Sequence, residues 1–189
     1  MRILIAGILG AIVMFVWVSI AHMATPLANM GFSQIPNEAS VLAPIQAAIG
    51  NKPGLYFFPW VDPKDPKMME KHIALEKTNP SGLLIYHPAG HAIAMTHATL
   101  IAEFAKELIE TLLAAWIVSL VSAAYLGRVG VVVAIGVIAT LSTNASYHIW
   151  YGFPLDYTVA AFIIDIVGFF VAGLVIAWWI GRARVIRTS

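Results

Sequence analysis

The sequence lacks cysteine and is poor in charged residues. It contains no cysteine among 189 residues, which excludes disulfide bonds, thiolate metal sites and cysteine nucleophiles. Only 11% of the residues are charged, whereas a soluble domain carries about 25%. The chain is 60% hydrophobic with a mean hydropathy of +0.82, which predicts an integral membrane protein. A net charge of +1 gives no reason to expect a nucleic-acid partner.

Proline is nearly missing outside one segment. Nine of the ten prolines fall in residues 25–97, too many for a spanning helix. The other parts of the chain predict four transmembrane helices and a basic tail: TM1 at 1–24, TM2 at 98–127, TM3 at 131–150, TM4 at 157–181 and the tail at 182–189. A tight turn at 127–130 is expected between TM2 and TM3.

Residues 25–97 have a pattern of their own. Asn37 and Asp65-Pro66 each precede a helical segment, and apolar runs at 55–58 and 83–86 follow glycine and stop at proline, which predicts two short strands. The predicted fold class is therefore an all-α membrane protein, a four-helix transmembrane bundle with a small mixed α/β extracytoplasmic cap. Aromatic residues of the cap are predicted to form an interaction surface: Tyr56, Phe57, Phe58 and Trp60. Alternatively, these rings form the cap's own core or an interfacial aromatic belt.

Positive charge is concentrated at one end of the predicted helices. All five arginines lie there: Arg2, Arg128, Arg182, Arg184 and Arg187. All ten acidic residues and all six histidines lie in the opposite half or in the cap segment. The positive-inside rule then predicts cytoplasmic N- and C-termini and an external cap. Because the arginine end has only a short turn and two chain ends, we expect no nucleotide site there, and we expect function in the outer half.

Polar residues recur at one depth in the predicted helices. Counting about 1.5 Å per residue from the inner boundary places Glu110 and Asp165 roughly 25 Å deep. The predicted polar layer consists of His22, Glu107, Glu110, Asn144, His148 and Asp165. Ionisable groups at such a depth usually face the bundle interior or a wet cavity. A purely structural role for each of them, such as a hydrogen bond or an interfacial position, stays open.

Three classes of function remain. The leading interpretation is a non-catalytic accessory or structural subunit of a larger membrane protein complex, in contact with lipids, because the sequence has no zinc-protease motif, nucleophile elbow or phosphate loop. The alternative is a transition-metal site, binding or catalytic, since imidazole and carboxylate suit such metals. Its candidate ligands are His22, Glu110, His148 and Asp165, with His87, His91 and His97 above them. A carrier of protons, quinone or lipid is the third class.

Several short runs carry a resemblance to known proteins. They are YGFP after TM3, GLYFFP and GLLIYHP at the two strands, and AHMA at the end of TM1. With these runs the chain resembles small bacterial four-helix inner-membrane proteins without an assigned activity. The resemblance covers most of the chain and implies a bacterial inner membrane, but it implies no site residues.

Overall fold

A computed structural model describes residues 1–90 and 96–185, with side chains up to residue 182. The described helices and strands are α1 (Arg2–Ala24), α2 (Glu38–Ile49), β1 (Gly54–Phe58), α3 (Met68–Glu76), β2 (Gly82–Tyr86), α4 (His97–Leu120), α5 (Tyr125–Thr140), α6 (Ser146–Tyr151) and α7 (Leu155–Val185). A 3₁₀ helix at Pro26–Asn29 follows α1, and a π-helical turn at Leu141–Ala145 joins α5 to α6. The chain forms two compact units: Met1–Phe32 with Met95–Ser189, the helical unit, and Ser33–Ala94, the loop unit.

The loop unit contains a two-stranded antiparallel sheet. The predicted strands are confirmed, with Leu55 opposite Ile85 in the register. The Tyr86 hydroxyl donates a hydrogen bond to the Gly50 carbonyl at 2.8 Å, which ties the sheet to the end of α2. Phe57 stacks on His72 of α3 with ring centroids 5.4 Å apart. None of the unit's described residues, 33–90, is fully buried, so this small sheet has no closed core of its own.

The long helices share one apolar core. α1 packs against α4 and α7, and α5 packs against α7. The core combines small residues with a few large side chains, which allows close helix approach: Ala6, Met14, Ala114, Ala115, Val118, Val132, Phe169, Ala172 and Ile176. Phe104 of α4 meets Phe15 of α1 edge to face at 5.6 Å. α4 is therefore part of the same packed layer as the more apolar helices.

Three segments are long and apolar enough to cross a membrane: Arg2–Ala24, Tyr125–Tyr151 and Leu155–Arg182. The remaining predicted span, TM2, corresponds to α4 and does not meet that standard. α4 carries four charged residues: Glu103, Lys106, Glu107 and Glu110. By length and composition, the described chain is thus a mostly helical membrane protein with three candidate spans, and a four-helix transmembrane bundle is not established.

The chain turns between α4 and α5 earlier than the sequence indicates. α4 ends at Leu120 rather than at residue 127, and α5 runs from Tyr125 through the expected turn at 127–130. Glycines flank Arg128 and resemble a turn, yet glycine in a helix costs only about 1 kcal/mol, and Arg128 is 7% exposed inside α5. Glu110 consequently lies ten residues from the end of α4, about 15 Å along the helix instead of the predicted 25 Å.

Candidate functional site

The helical unit contains a cavity of about 230 Å³ among α1, α4, the π-helical turn and α7, which we name the polar cavity. Its polar lining residues are His22, Glu103, Lys106, Glu110, Thr143, Asn144 and Asp165. Four of the six residues of the predicted polar layer therefore surround one space: His22, Glu110, Asn144 and Asp165. They come from four different parts of the chain, and only the packing of the helices brings them together.

Asn144 connects the π-helical turn to α7. Its Nδ2 donates to Asp165 Oδ2 at 3.0 Å and to the Thr140 hydroxyl, also at 3.0 Å. Because an amide nitrogen has two hydrogens, both bonds form together. π-helical turns inside α-helices occur frequently at functional sites, and this one places Asn144 beside Asp165. Nothing in the sequence predicts the turn or the part played by the buried Thr140.

One hydrogen bond joins α1 to α7 beside Asp165, and another, within α1, fixes the ring of His22. The Trp17 indole donates to the Ile164 carbonyl at 2.9 Å, one residue before Asp165. His22 Nδ1 lies 2.9 Å from the Val18 carbonyl one turn earlier. Since a carbonyl only accepts, Nδ1 of His22 carries the hydrogen of this bond. The ring is thereby held at the edge of the polar cavity.

The charges of α4 do not cancel within the cavity. Lys106 Nζ lies 2.7 Å from Glu103 Oε1 and forms an ion pair with it. Glu110 Oε2 is buried and has no hydrogen-bond partner among the described residues. With the carboxylates ionised, three acids face one lysine, so the lining has a negative balance. Such a wall attracts positive charge into the cavity.

A second cavity of about 340 Å³ adjoins the first and shares His22, Asn144, Ile164 and Asp165 with it. Its other walls are apolar or aromatic, and we name it the aromatic vestibule: Leu27, Ala28, Phe32, Tyr157, Ala160 and Ala161. Phe32 and Tyr157 meet edge to face at 5.7 Å. Gly31 has a φ of +80°, and a Cβ there would overlap Tyr157, so glycine is what allows this contact.

The two cavities occupy one end of the helical unit. The vestibule lies where α1 ends and α7 begins, at the opposite end of these helices from Arg2 and Arg182. At the other side of the polar cavity, Met14 and Phe169 both line it and belong to the apolar core. The polar cavity therefore continues into the vestibule at one side and is closed by the apolar core of the protein at the other.

Two residues of the predicted layer lie elsewhere. The Glu107 side chain is completely buried, lines neither cavity, and has no hydrogen-bond partner for its carboxylate among the described residues. His148 Nδ1 lies 2.6 Å from the Phe153 carbonyl, in the turn that follows α6. Its ring orders that turn and lines neither cavity. His91, named as a further histidine candidate, falls outside the described residues.

The geometry does not favour the predicted transition-metal site. Within residues 1–90 and 96–185, no group of three histidine, aspartate or glutamate side chains is placed to hold a metal ion. Three of the four proposed ligands border the polar cavity, while His148 is engaged by the Phe153 carbonyl.

Comparison of the chain with protein-family models, with curated proteins and with solved structures found no match. The chemistry of the two cavities follows from their own side chains. Carboxylates line the polar cavity, the carboxylate of Asp165 lies with an amide and an imidazole where the cavities meet, and aromatic rings line the vestibule. This arrangement is suited to holding a positively charged group and to excluding an anion.

Proposed function

We propose that the chain is a four-helix protein of the bacterial inner membrane that binds a small cationic solute from the external face, in the polar cavity. The observation that supports this most is the excess of acidic side chains in the lining, three against one lysine, with Glu110 and Asp165 bordering a space that continues into the vestibule. Among the three classes of function set out above, this is a ligand-carrying role.

The environment of its charges supports α4 as the fourth span. Glu103, Lys106 and Glu110 line the polar cavity, and ionisable residues inside membranes nearly always face such a cavity or each other. α4 also follows α1 closely, since the Thr111 hydroxyl lies 2.9 Å from the Gly7 carbonyl. A helix packed along a membrane span in this way lies at the same depth.

The orientation follows from the arginines. Arg2, Arg128 and Arg182 lie at the end of the helices away from the vestibule. The positive-inside rule assigns that end to the cytoplasm and the vestibule to the external side. The proposed solute therefore enters from outside. Because the apolar core closes the inner side of the polar cavity, the structure suits reversible binding, and transfer to the cytoplasm requires the helices to separate along that core.

Cysteine accessibility tests this proposal cleanly, since the native chain has no cysteine. We choose Ala161→Cys in the vestibule, Ala139→Cys in the polar cavity and, as control, Ala172→Cys in the core. Thiols are treated from the external side with a cationic and an anionic methanethiosulfonate of similar size. We expect Ala139→Cys to react at least about tenfold faster with the cationic reagent, and Ala172→Cys to stay unmodified.

Adding Asp165→Asn to Ala139→Cys removes one charge from the cavity wall while preserving the shape of the side chain. The preference for the cationic reagent should then fall, whereas Ala161→Cys in the wider vestibule should show little preference. Equal rates with the two reagents at Ala139→Cys, or no reaction from outside at either cavity position, would contradict the proposal.

A second candidate function is that of an accessory subunit, which the loop unit supports. Leu55 and Ile85 are 62% and 63% exposed and face each other across the sheet, so they form one apolar patch. Trp60 of the predicted interaction surface is 68% exposed and Phe58 is 41% exposed, while Tyr56 and Phe57 are half-buried. An apolar patch on a unit without a closed core is typical of a surface that binds another protein.

This second proposal predicts that the chain leaves the membrane in mild detergent as part of a larger complex with other membrane subunits. Replacing the patch by Leu55→Ser with Ile85→Ser should release the chain at its own size. The matched control is Met69→Ser, an equally exposed apolar residue on α3, which should leave the complex intact. A native chain that already migrates alone contradicts this role and leaves the cavity proposal unaffected.

A further inference from the structure

The two adjoining cavities differ in chemistry, and this difference indicates the kind of solute. We infer that the solute is an organic ammonium ion, a positively charged nitrogen on a compact apolar or aromatic body. The nitrogen lies in the polar cavity and the body lies in the aromatic vestibule. This inference rests on the proposed function, which requires only a small cation and does not specify its body.

The polar cavity offers hydrogen-bond acceptors to such a nitrogen. Asp165 Oδ2 accepts one bond from Asn144, and an ionised carboxylate has room for several more. Glu110 Oε2 has no hydrogen-bond partner among the described residues. An ammonium group carries up to three N–H donors, so it can be shared by carboxylates from α7 and α4. Lys106 opposes it less than an unpaired lysine would, because its ammonium group pairs with Glu103 at 2.7 Å.

A bare metal ion fits the same space poorly. Calcium takes six to eight oxygen ligands and magnesium demands near-octahedral geometry, whereas no set of three acidic or histidine side chains converges within the described chain. A volume of about 230 Å³ also exceeds what one ion fills. The cation is therefore one with several heavy atoms and its own hydrogen-bond donors.

The vestibule supplies the place for the apolar body. Its walls include Phe32, Tyr157, Ala160 and Ala161, next to about 340 Å³ of space. The small alanine side chains keep that space open, and the two rings offer flat apolar surface. Asp165 and Asn144 border both cavities, so one molecule can contact the carboxylate and the rings together. The combined size suits a ligand of modest size.

Calorimetric titration of the full chain in lipid nanodiscs tests this inference. The probes are 2-phenylethylammonium, the neutral 2-phenylethanol, the anionic 3-phenylpropionate and methylammonium, which lacks the ring. We expect 2-phenylethylammonium to bind at least about tenfold more tightly than each of the other three, a difference of about 1.4 kcal/mol. Comparable binding of 2-phenylethanol or of 3-phenylpropionate overturns the requirement for a positive nitrogen. Comparable binding of methylammonium overturns the requirement for an apolar body.

Variants assign the binding to the two cavities. Asp165→Asn should weaken 2-phenylethylammonium at least about tenfold, while Asp156→Asn, which changes an exposed acid of the same helix, should leave it within about twofold. Ala161→Phe should reduce 2-phenylethylammonium binding through the vestibule without reducing that of methylammonium. Equal effects of Asp165→Asn and Asp156→Asn overturn the assigned site, and the ligand series on the native chain does not depend on any variant folding.

The accessibility experiment separates this inference from the function on which it rests. If no probe binds while Ala139→Cys still prefers the cationic reagent, the cation cavity stands and the organic ammonium inference fails. If Ala139→Cys shows no such preference, the proposed function fails and this inference fails with it.

Discussion

At the scale of a single residue, the Thr111 hydroxyl links two helices. Its hydrogen is shared by the Gly7 carbonyl of α1 at 2.9 Å and the Glu107 carbonyl of its own helix at 2.8 Å. Thr111→Val removes the bond with little change of size. Hydrogen bonds between helices in membranes contribute about 0.6 kcal/mol on average and up to about 1.7, so we expect a loss in that range, measured by unfolding in SDS.

The control for this change is Thr158→Val in α7. Among the described residues, the Thr158 hydroxyl bonds only to the Pro154 carbonyl of the same chain segment, at 3.1 Å, and links no second helix. Its loss should cost less free energy of unfolding than that of Thr111. Equal losses for the two variants would show that the contact with Gly7 contributes nothing.

The sequence predicts that polar residues of different helices come together more reliably than it predicts which way each one faces. Glu103, Glu107 and Glu110 share a broad helical face, yet helix rotation separates them. Glu110 follows Glu103 by seven positions, which is about 20° short of two full turns. Glu107 follows Glu103 by four positions, which is about 40° more than one turn. Glu103 and Glu110 therefore face the polar cavity together, and Glu107 is rotated into the buried helix contact. That final rotation depends on how α1 and α7 pack, which spacing alone does not contain.

Close contact between α5 and α7 gives a prediction at the scale of the helix. A Cβ on Gly136 would lie 2.6 Å from Phe169 Cβ, which cannot move without its backbone. Gly136→Ala should therefore separate the helices and cost about 1–3 kcal/mol, as overpacking usually does. Gly130→Ala in the same helix meets nothing within 4 Å and should be neutral or slightly stabilising. Thermal unfolding of both variants measures the difference, and similar losses would mean that α5 adjusts freely.

The start of α3 gives a pH prediction in the loop unit. The Lys71 ammonium and the Lys67 backbone N–H both donate to Asp65 and hold the pKa of that carboxyl below its ordinary value of 3.8. A lowered pKa in the folded state stabilises above the ordinary value, and this contribution is lost as the pH falls below 3.8 towards the folded pKa. Amide exchange in α3, corrected for the intrinsic effect of pH, should therefore quicken in acid.

Asp65→Asn should show the faster exchange of α3 already at neutral pH, and the native and variant curves should merge in acid. The matched control is Asp62→Asn, whose carboxylate accepts from the Lys64 backbone N–H at 2.9 Å, whereas that of Asp65 pairs with Lys71 inside α3. If Asp62→Asn and Asp65→Asn behave alike, the effect does not come from the Lys71 contact.

Elements with strong local signals could be predicted, and elements defined by packing could not. The two strands are bounded by glycine and proline, and both are found where the sequence places them. The end of α4 has no such signal, because residues 121–124 are valine, serine and two alanines. The glycines at 127 and 130 indicated a turn, but they lie inside α5. The π-helical turn at Leu141–Ala145 is likewise set by contacts between helices, since Asn144 bonds to α7.

At the scale of the whole molecule, the number of spans decides which residues share a side of the membrane. If α4 spans, the loop unit and the turn at 121–124 lie on opposite sides. If only the three apolar segments span, the loop unit and that turn lie on the same side. Arg128 and Arg182 would then lie together on that side and Arg2 on the other, so the arginines would be divided between the two sides, against the positive-inside rule. Whether the charged helix α4 spans the membrane therefore decides whether all the arginines lie on one side.

Single cysteines introduced into the cysteine-free chain distinguish these two arrangements. Ser81→Cys lies in the loop unit and Ala124→Cys lies in the turn before α5, and both positions are exposed. We expect an impermeant maleimide to label Ser81→Cys in intact spheroplasts and Ala124→Cys only after permeabilisation, because four spans place these residues on opposite sides. Labelling of both without permeabilisation would mean that α4 stays outside the bilayer. Its carboxylates would then be in water, where they no longer form a cation site within the membrane.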